Sequence, residues 1–129
     1  MYTLDTDIVI WILRKEQRII DFVKDIVEKN NTSVSTITVA EIYKNIFPDE
    51  ILSFDDFLSH QAIIPVTVEI AKEAGLYWQK FHRKLLNLSI TDCIVASTTQ
   101  KSNSTLLTLN TRHFPMSDIK ILDPLKKRS

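Results

Sequence analysis

The chain has few of the residues on which several kinds of small protein depend. One cysteine in 129 residues excludes an internal disulfide framework and a cysteine-rich zinc module. One glycine, Gly75, excludes the glycine-rich loops that bind dinucleotides or nucleotide phosphates. Sixteen basic residues balance sixteen acidic residues, which argues against a protein that binds nucleic acid through a general excess of positive charge.

Long apolar segments are also absent from the sequence. No apolar run approaches the roughly 20 residues that span a membrane, and the N-terminus lacks a charged segment followed by an apolar signal core. The hydrophobic content of 44% is sufficient for a core, and the length is typical of one domain. We therefore expect a cytoplasmic protein with one domain over residues 1–125 and a basic tail over residues 126–129.

Short apolar runs alternate with helical patterns along the chain. Strands are predicted over residues 2–4, 32–35, 62–64, 104–109 and 119–122. Helices are predicted over residues 8–12, 16–29, 38–46, 51–59, 67–85 and 91–101. This alternation predicts an α/β domain in which a parallel sheet lies between two layers of helices.

A few conspicuous residues are best explained by packing. Trp11, Trp78 and Phe81 are predicted to lie in the core, with contact to a second copy of the chain as the alternative for one of them. Gly75 lies inside the longest predicted helix and is expected to mark a close helix contact or a bend. Cys93 is expected to be an inert buried residue.

Acidic and amide side chains occur where predicted strands lead into helices. Asp5 follows the first strand, and Glu41 lies in the helix after the second strand. Asp92 lies at the start of a later helix, and Asn110 follows the fourth strand. Because the carboxyl ends of parallel strands meet at one edge of a sheet, where ligands bind, we expect these side chains to lie close together.

Most of the acids also have a purely structural interpretation. Thr38 and Glu41 fit a capping box, and Asp92 is favourable at a helix N-terminus. Either Thr6 or Asp7 fits the N-cap of the first helix. Asp5 is harder to explain in this way, because a carboxylate directly after an apolar strand is partly buried and requires a partner.

A bound cation is the simplest reason for carboxylates to cluster. Asp5, Glu41 and Asp92 would repel one another, and each would raise the pKa of the others, unless a cation lay between them. Mg²⁺ and Mn²⁺ prefer oxygen ligands of this kind. Such an ion orients a phosphate group and activates water, so the three acids are candidate metal ligands in a phosphoryl-transfer site.

Four motifs in this order resemble those of a known family. They are LDTDI over residues 4–8, STITVAE over 35–41, ITDCIVA over 90–96 and LTLNTRHF over 107–114. Each motif alone is weak, but the four together are similar to the PIN-domain ribonucleases and, within them, to the VapC-like toxins of toxin–antitoxin pairs. The resemblance covers nearly the whole chain.

The resemblance implies a three-layer α/β/α PIN-like fold with a five-stranded parallel sheet, and a metal-dependent endoribonuclease that hydrolyses RNA phosphodiester bonds. It implies catalytic roles for Asp5, Glu41, Asp92 and Asn110, with Mg²⁺ or Mn²⁺ held by the three acids. It also implies a homodimer and neutralisation by a small antitoxin protein. Asn110 carries no charge, so the number of ions stays open.

Arg112 is the best-placed cation for contact with an RNA phosphate, because it is two residues from Asn110. The segment over residues 46–60 is short for the helical arm that contributes to dimer contacts in the family. The geometry of the dimer therefore stays open.

Two other classes of protein place acids in similar positions. A receiver-type signalling domain requires an acceptor aspartate after its third strand and a lysine after its fifth, and this chain has neither. A PIN-fold protein that has lost catalysis and only binds a partner is the alternative that stays open. A metal titration distinguishes it from a nuclease.

Overall fold

A computed structural model describes residues 1–29 and 31–126 of the chain. Within this part, the strands are β1 (Tyr2–Leu4), β2 (Thr32–Ser35), β3 (Ala62–Ile64), β4 (Thr105–Leu107) and β5 (Lys120–Leu122). The α-helices are α1 (Thr6–Leu13), α2 (Gln17–Lys29), α3 (Thr36–Tyr43), α4 (Ile51–Ser59), α5 (Val68–Phe81) and α6 (Ile90–Lys101). Single 3₁₀ turns cover Pro48–Glu50 and Thr111–His113. Every predicted strand and helix is present, with shifts at the ends.

The five strands form one parallel sheet in the order β3-β2-β1-β4-β5. In the central strand β1, Thr3 lies beside Ser33 of β2 on one side and beside Leu106 of β4 on the other. β2 and β3 extend the sheet on one side of β1, and the chain then crosses back so that β4 and β5 extend it on the other side. The carboxyl end of β1 is therefore the switch point at which open α/β sheets form a ligand-binding crevice.

Two hydrophobic clusters cover the two faces of the sheet. Leu107 packs with residues of α1, α2 and α4, among them Phe54. Its neighbour Leu106 packs with residues of α5 and α6, among them Ala74 and Val95. Because adjacent residues of a strand point to opposite faces, the two leucines place one helical layer on each side. The predicted three-layer fold is confirmed.

The prediction that Trp11 and Trp78 lie in the core is wrong. Trp11 is 42% exposed and Trp78 is 39% exposed. The buried face of α5 includes Ala74 and Tyr77, and Trp78 lies one residue, or about 100°, further round the helix. The indole of Trp78 stacks instead on His82, with ring centroids 3.9 Å apart.

Other predictions about the same helices have mixed outcomes. Phe81 is half-buried against the cluster of α5 and α6, as predicted. The expectation of a close helix contact at Gly75 is wrong, because a Cβ atom built there meets no neighbouring group of the described residues within 4 Å. Cys93 is fully buried, and burial raises the pKa of its thiol to about 11, in agreement with an inert residue.

The ends of the elements differ from the predictions in a few places. The helix predicted over residues 67–85 ends at Phe81, because the chain then turns and the Lys84 N–H donates to the Phe81 carbonyl at 3.2 Å. Most of the predicted basic tail, residues 127–129, lies outside the described residues. In the described part, no helix has both the length and the apolar composition needed to cross a membrane.

Candidate active site

A polar cleft of about 460 Å³ lies at the carboxyl end of β1. It brings together Asp5, Glu41, Asp92 and Asn110, which come from four separate segments of the chain. Arg112, which is exposed in the turn after Asn110, is not among the residues that line it. The full lining is Asp5, Thr6, Asp7, Ile10, Glu41, Lys44, Ser89, Thr91, Asp92 and Asn110.

Asp5 is the most buried acid of the cleft, with 6% of its surface exposed. It directly follows β1 and is the N-cap of α1, where its Oδ1 accepts the Thr6 N–H at 2.8 Å. Its Oδ2 accepts the Thr108 hydroxyl at 2.8 Å. Burial, followed by the negative charge of Asp7 and, more weakly, that of Asp92, raises the pKa of Asp5 to about 7. The prediction that Thr6 or Asp7 caps α1 is therefore wrong. The N-cap is Asp5, which is itself a candidate site residue.

Asp7 and Thr108 connect the ends of β1 and β4, and the sequence pattern does not indicate this connection. Asp7 Oδ2 accepts the Leu109 N–H at 2.9 Å, while its Oδ1 accepts the Ile8 N–H at 2.7 Å. The buried Thr108 hydroxyl, which donates to Asp5, also accepts the Asn110 N–H at 3.0 Å. Burial raises the pKa of Asp7 as well. These contacts position Asn110 at the cleft.

Glu41 projects from α3 into the cleft. Its Oε2 lies 3.2 Å from the Lys44 Nζ atom, and its Oε1 lies 3.5 Å from the Thr91 hydroxyl. The predicted capping box with Thr38 is wrong, because α3 begins two residues earlier and its N-cap is Ser35. Ser35 is the last residue of β2, and its hydroxyl accepts the Ile37 N–H at 3.2 Å. Glu41 therefore has no capping role that would occupy it.

Asp92 does have the structural role that the sequence suggested. Ser89 is the N-cap of α6, and its hydroxyl accepts the Asp92 N–H at 3.0 Å, while Asp92 Oδ2 accepts the Ser89 N–H at 3.3 Å. The same Oδ2 lies 3.8 Å from the His113 Nδ1 atom. Neither Asp92 Oδ1 nor the Asn110 side chain hydrogen-bonds to another described residue. These groups are available to a ligand in the cleft.

The chemistry of the cleft fits a hard cation. Among residues 1–29 and 31–126, no three His, Cys, Asp or Glu side chains form a cage that could hold a metal ion. Mg²⁺ does not require such a cage, since it commonly uses one or two carboxylates and takes waters and substrate phosphate oxygens as its other ligands. The available donors are carboxylate and amide oxygens, which suit Mg²⁺ or Mn²⁺ rather than a softer metal.

The fold and the cleft together define an α/β protein with an oxygen-rich site at the switch point of its sheet. The model of the PIN domain family matches residues 2–119. The chain belongs to the PIN domain family, as its four motifs predicted. It is similar to ribonuclease VapC10 of Mycobacterium tuberculosis, with 26% identity over 116 residues that make up 90% of this chain and 87% of that protein.

Solved structures share the fold of this chain. A chain of VapBC2 from Rickettsia felis, bound to a promoter DNA fragment, has a TM-score of 0.81 and 21% identity over 94% of this chain and 96% of that chain. A chain of DNA-bound VapBC from Salmonella typhimurium has a TM-score of 0.80 and 22% identity over 95% and 97%. The predicted PIN fold and the resemblance to VapC proteins are confirmed.

Proposed function

We propose that this chain is a metal-dependent endoribonuclease that hydrolyses RNA phosphodiester bonds, and that it is the toxin of a toxin–antitoxin pair. The observation that carries the proposal is the cleft, where Asp5, Glu41, Asp92 and Asn110 meet at the switch point of a PIN domain. The similarity to a ribonuclease over 90% of the chain supports the same activity.

The four residues have different roles in this proposal. Asp5 and Asp92 hold the ion, and Glu41 either ligates it or orients the attacking water. Asn110 completes the pocket through its amide oxygen. When bound, Mg²⁺ or Mn²⁺ supplies an activated water and neutralises the charge that develops on the phosphate. The raised pKa of Asp5 is consistent with this role, because a buried acid beside other carboxylates gains most from a nearby cation.

Cleavage of RNA by the purified chain tests the activity. We expect single-stranded or looped RNA to be cut in Mg²⁺ or Mn²⁺ and to remain intact in EDTA, and we expect Asp92→Asn to be inactive while still folded. The exposed Asp56 of α4 provides a matched control, so Asp56→Asn keeps full activity. Metal binding without cleavage of any RNA would favour the alternative, a partner-binding PIN domain that has lost catalysis.

A groove at the C-terminal end of α1 supports a protein partner. It has a volume of about 590 Å³ and lies between α1, α2 and α4, where Ile12, Ile20 and Phe57 provide apolar surface. Among the described lining residues, Lys15 and Lys24 provide positive charge, against one acid, Asp56. Such a groove fits the apolar face of an amphipathic helix. We propose that a small antitoxin binds here, as an antitoxin segment with apolar and acidic residues would complement both surfaces.

Growth assays test the toxin role. We expect expression of the wild-type chain to arrest growth unless the neighbouring small open reading frame is co-expressed. Asp5→Ala at equal abundance is expected to be harmless. Equal toxicity of the two chains would contradict the nuclease as the cause of the arrest.

The oligomeric state and location complete the proposal. We propose a cytoplasmic homodimer, and the exposed apolar side chains Val68, Leu76 and Trp78 of α5 are consistent with a contact between copies. Light scattering of the purified chain tests this, and a monomer at all concentrations would contradict it.

A further inference from the structure

Lys44 is the one lysine or arginine among the described residues that line the cleft. Lys44 is the C-cap of α3, and its Nζ atom lies 3.2 Å from Oε2 of Glu41, three residues earlier. The lysine side chain is 62% exposed, whereas the Glu41 side chain is 30% exposed. Lys44 therefore approaches the acids from the solvent side of the cleft.

The ion pair between Lys44 and Glu41 is of a weak kind. Exposed ion pairs between neighbouring turns of a helix contribute little to stability, because water screens them and a long side chain loses freedom in them. Lysine carries its charge on a flexible four-carbon chain and binds phosphate as a point charge. Lys44 can therefore leave Glu41 without loss of the fold.

The net negative charge of the cleft favours a role for Lys44 in binding RNA. The lining contains the carboxylates of Asp5, Asp7, Glu41 and Asp92, and one ammonium group. An RNA backbone brings further negative charge to the same place, so a cation of the protein at the mouth of the cleft favours its approach. Arg112, the cation that the sequence suggested for this task, lies outside the lining.

We propose that Lys44 is a substrate-binding residue that exchanges partners, with Glu41 in the free cleft and an RNA phosphate in the complex. This inference rests on the proposed nuclease function. It has two consequences of opposite sign. Loss of the ammonium group weakens RNA binding, and it strengthens binding of a divalent cation, because a competing positive charge has left Glu41.

The test compares Lys44→Gln with Lys72→Gln, which removes an exposed lysine of α5 outside the cleft. In Lys44→Gln we expect the Kd for Mn²⁺ alone, measured by calorimetry, to fall about threefold or more. With a fluorogenic RNA oligonucleotide, we expect KM to rise about tenfold with kcat nearly unchanged, and the slope of log(kcat/KM) against log[salt] to become about 0.7 shallower. Lys44→Arg keeps the wild-type KM, and Lys72→Gln matches wild type throughout.

Each other outcome has a definite meaning. An unchanged KM in Lys44→Gln, with a wild-type chain that cleaves RNA, would overturn the role of Lys44 and leave the nuclease function in place. A weaker affinity for Mn²⁺ in Lys44→Gln would also overturn it, since Lys44 would then only hold Glu41 in position. A wild-type chain that cleaves no RNA would overturn the proposed function itself.

Discussion

Replacement of Asp5 by asparagine is expected to stabilise the metal-free protein at neutral pH. Burial and the charge of Asp7 raise the pKa of Asp5 from 3.8 to about 7. The folded chain therefore holds a proton that the unfolded chain releases. The stabilising contribution of this proton is complete below pH 3.8, decreases as the pH rises, and is lost above about pH 7.

The size of the effect follows from the shift. About three pKa units at roughly 1.4 kcal/mol each give a loss of about 4 kcal/mol between pH 4 and pH 8 as an upper value. Asparagine does not titrate, and its amide oxygen can still accept the Thr6 N–H that Asp5 accepts at 2.8 Å. We expect Asp5→Asn to match wild type at pH 4 and to be about 2 to 4 kcal/mol more stable at pH 8.

Urea denaturation in EDTA at several pH values measures this difference. Asp56→Asn, at an exposed position of α4, is the control and is expected to show no such trend. The reasoning would be refuted if Asp5→Asn were less stable than wild type by the same amount at every pH. The hydrogen bonds of Asp5 with Thr6 and Thr108 would then make it a structural residue.

Two further substitutions test the structure around the site and the core. Gly75→Ala should increase the free energy of unfolding by about 0.5 to 1 kcal/mol, because the position is helical and a methyl group there meets no neighbouring group of residues 1–29 and 31–126 within 4 Å. A loss of stability in urea would reveal a contact there. Thr108→Val should cost about 1 to 3 kcal/mol and reduce activity, because the Asp5 carboxylate and the Asn110 N–H both lose a buried partner. Thr108→Ser keeps the hydroxyl but loses the methyl group, and it should retain most of the stability and most of the activity. A loss as large as that of Thr108→Val would show that the hydroxyl is not sufficient, against the role given to its hydrogen bonds.

The elements of the fold could be predicted because each depends on local pattern. A buried strand such as β4 is a short apolar run between turn residues, and α2 shows a regular apolar face. Which face of a helix packs against the core depends on the neighbouring elements, and the sequence pattern does not reveal how those elements are placed. Trp78 was predicted to lie in the core and the adjacent Tyr77 was not, but it is Tyr77 that is buried, in a cluster with residues of α6.

The candidate site could also be predicted only in part. Asp5, Asp92 and Asn110 could be predicted because each follows a strand or lies in the first turn of a helix, and Glu41 because it lies in the helix that follows β2. The carboxyl ends of parallel strands must meet, so these segments come together. The hydrogen bond from Thr108 to Asp5 could not, because the two residues are 103 positions apart and meet only when β4 lies beside β1. The one signal for Asp7 was that it is a second acid, two residues after Asp5, and its interpretation as an N-cap concealed it.

Capping residues were difficult for a related reason. Both Ser35 and Thr38 have a hydroxyl that can cap α3, and their side chains alone do not decide between them. The end of β2 decides, because its pairing with β3 extends to Ser35 and fixes an extended backbone there. The correct cap frees Glu41 from the role that its spacing from Thr38 suggested.

Calorimetric titration with Mn²⁺ tests most directly whether this cleft holds the ion on which the proposed activity depends. We expect binding at the cleft to release about half a proton per chain near pH 7, because Asp5, with a pKa of about 7, must lose its proton to bind a cation. The release is measured from the dependence of the binding enthalpy on the buffer. Binding and proton release should both be lost in Asp92→Asn and retained in Asp56→Asn. Undiminished binding by Asp92→Asn, or binding without proton release, would contradict a metal site shared by Asp5 and Asp92.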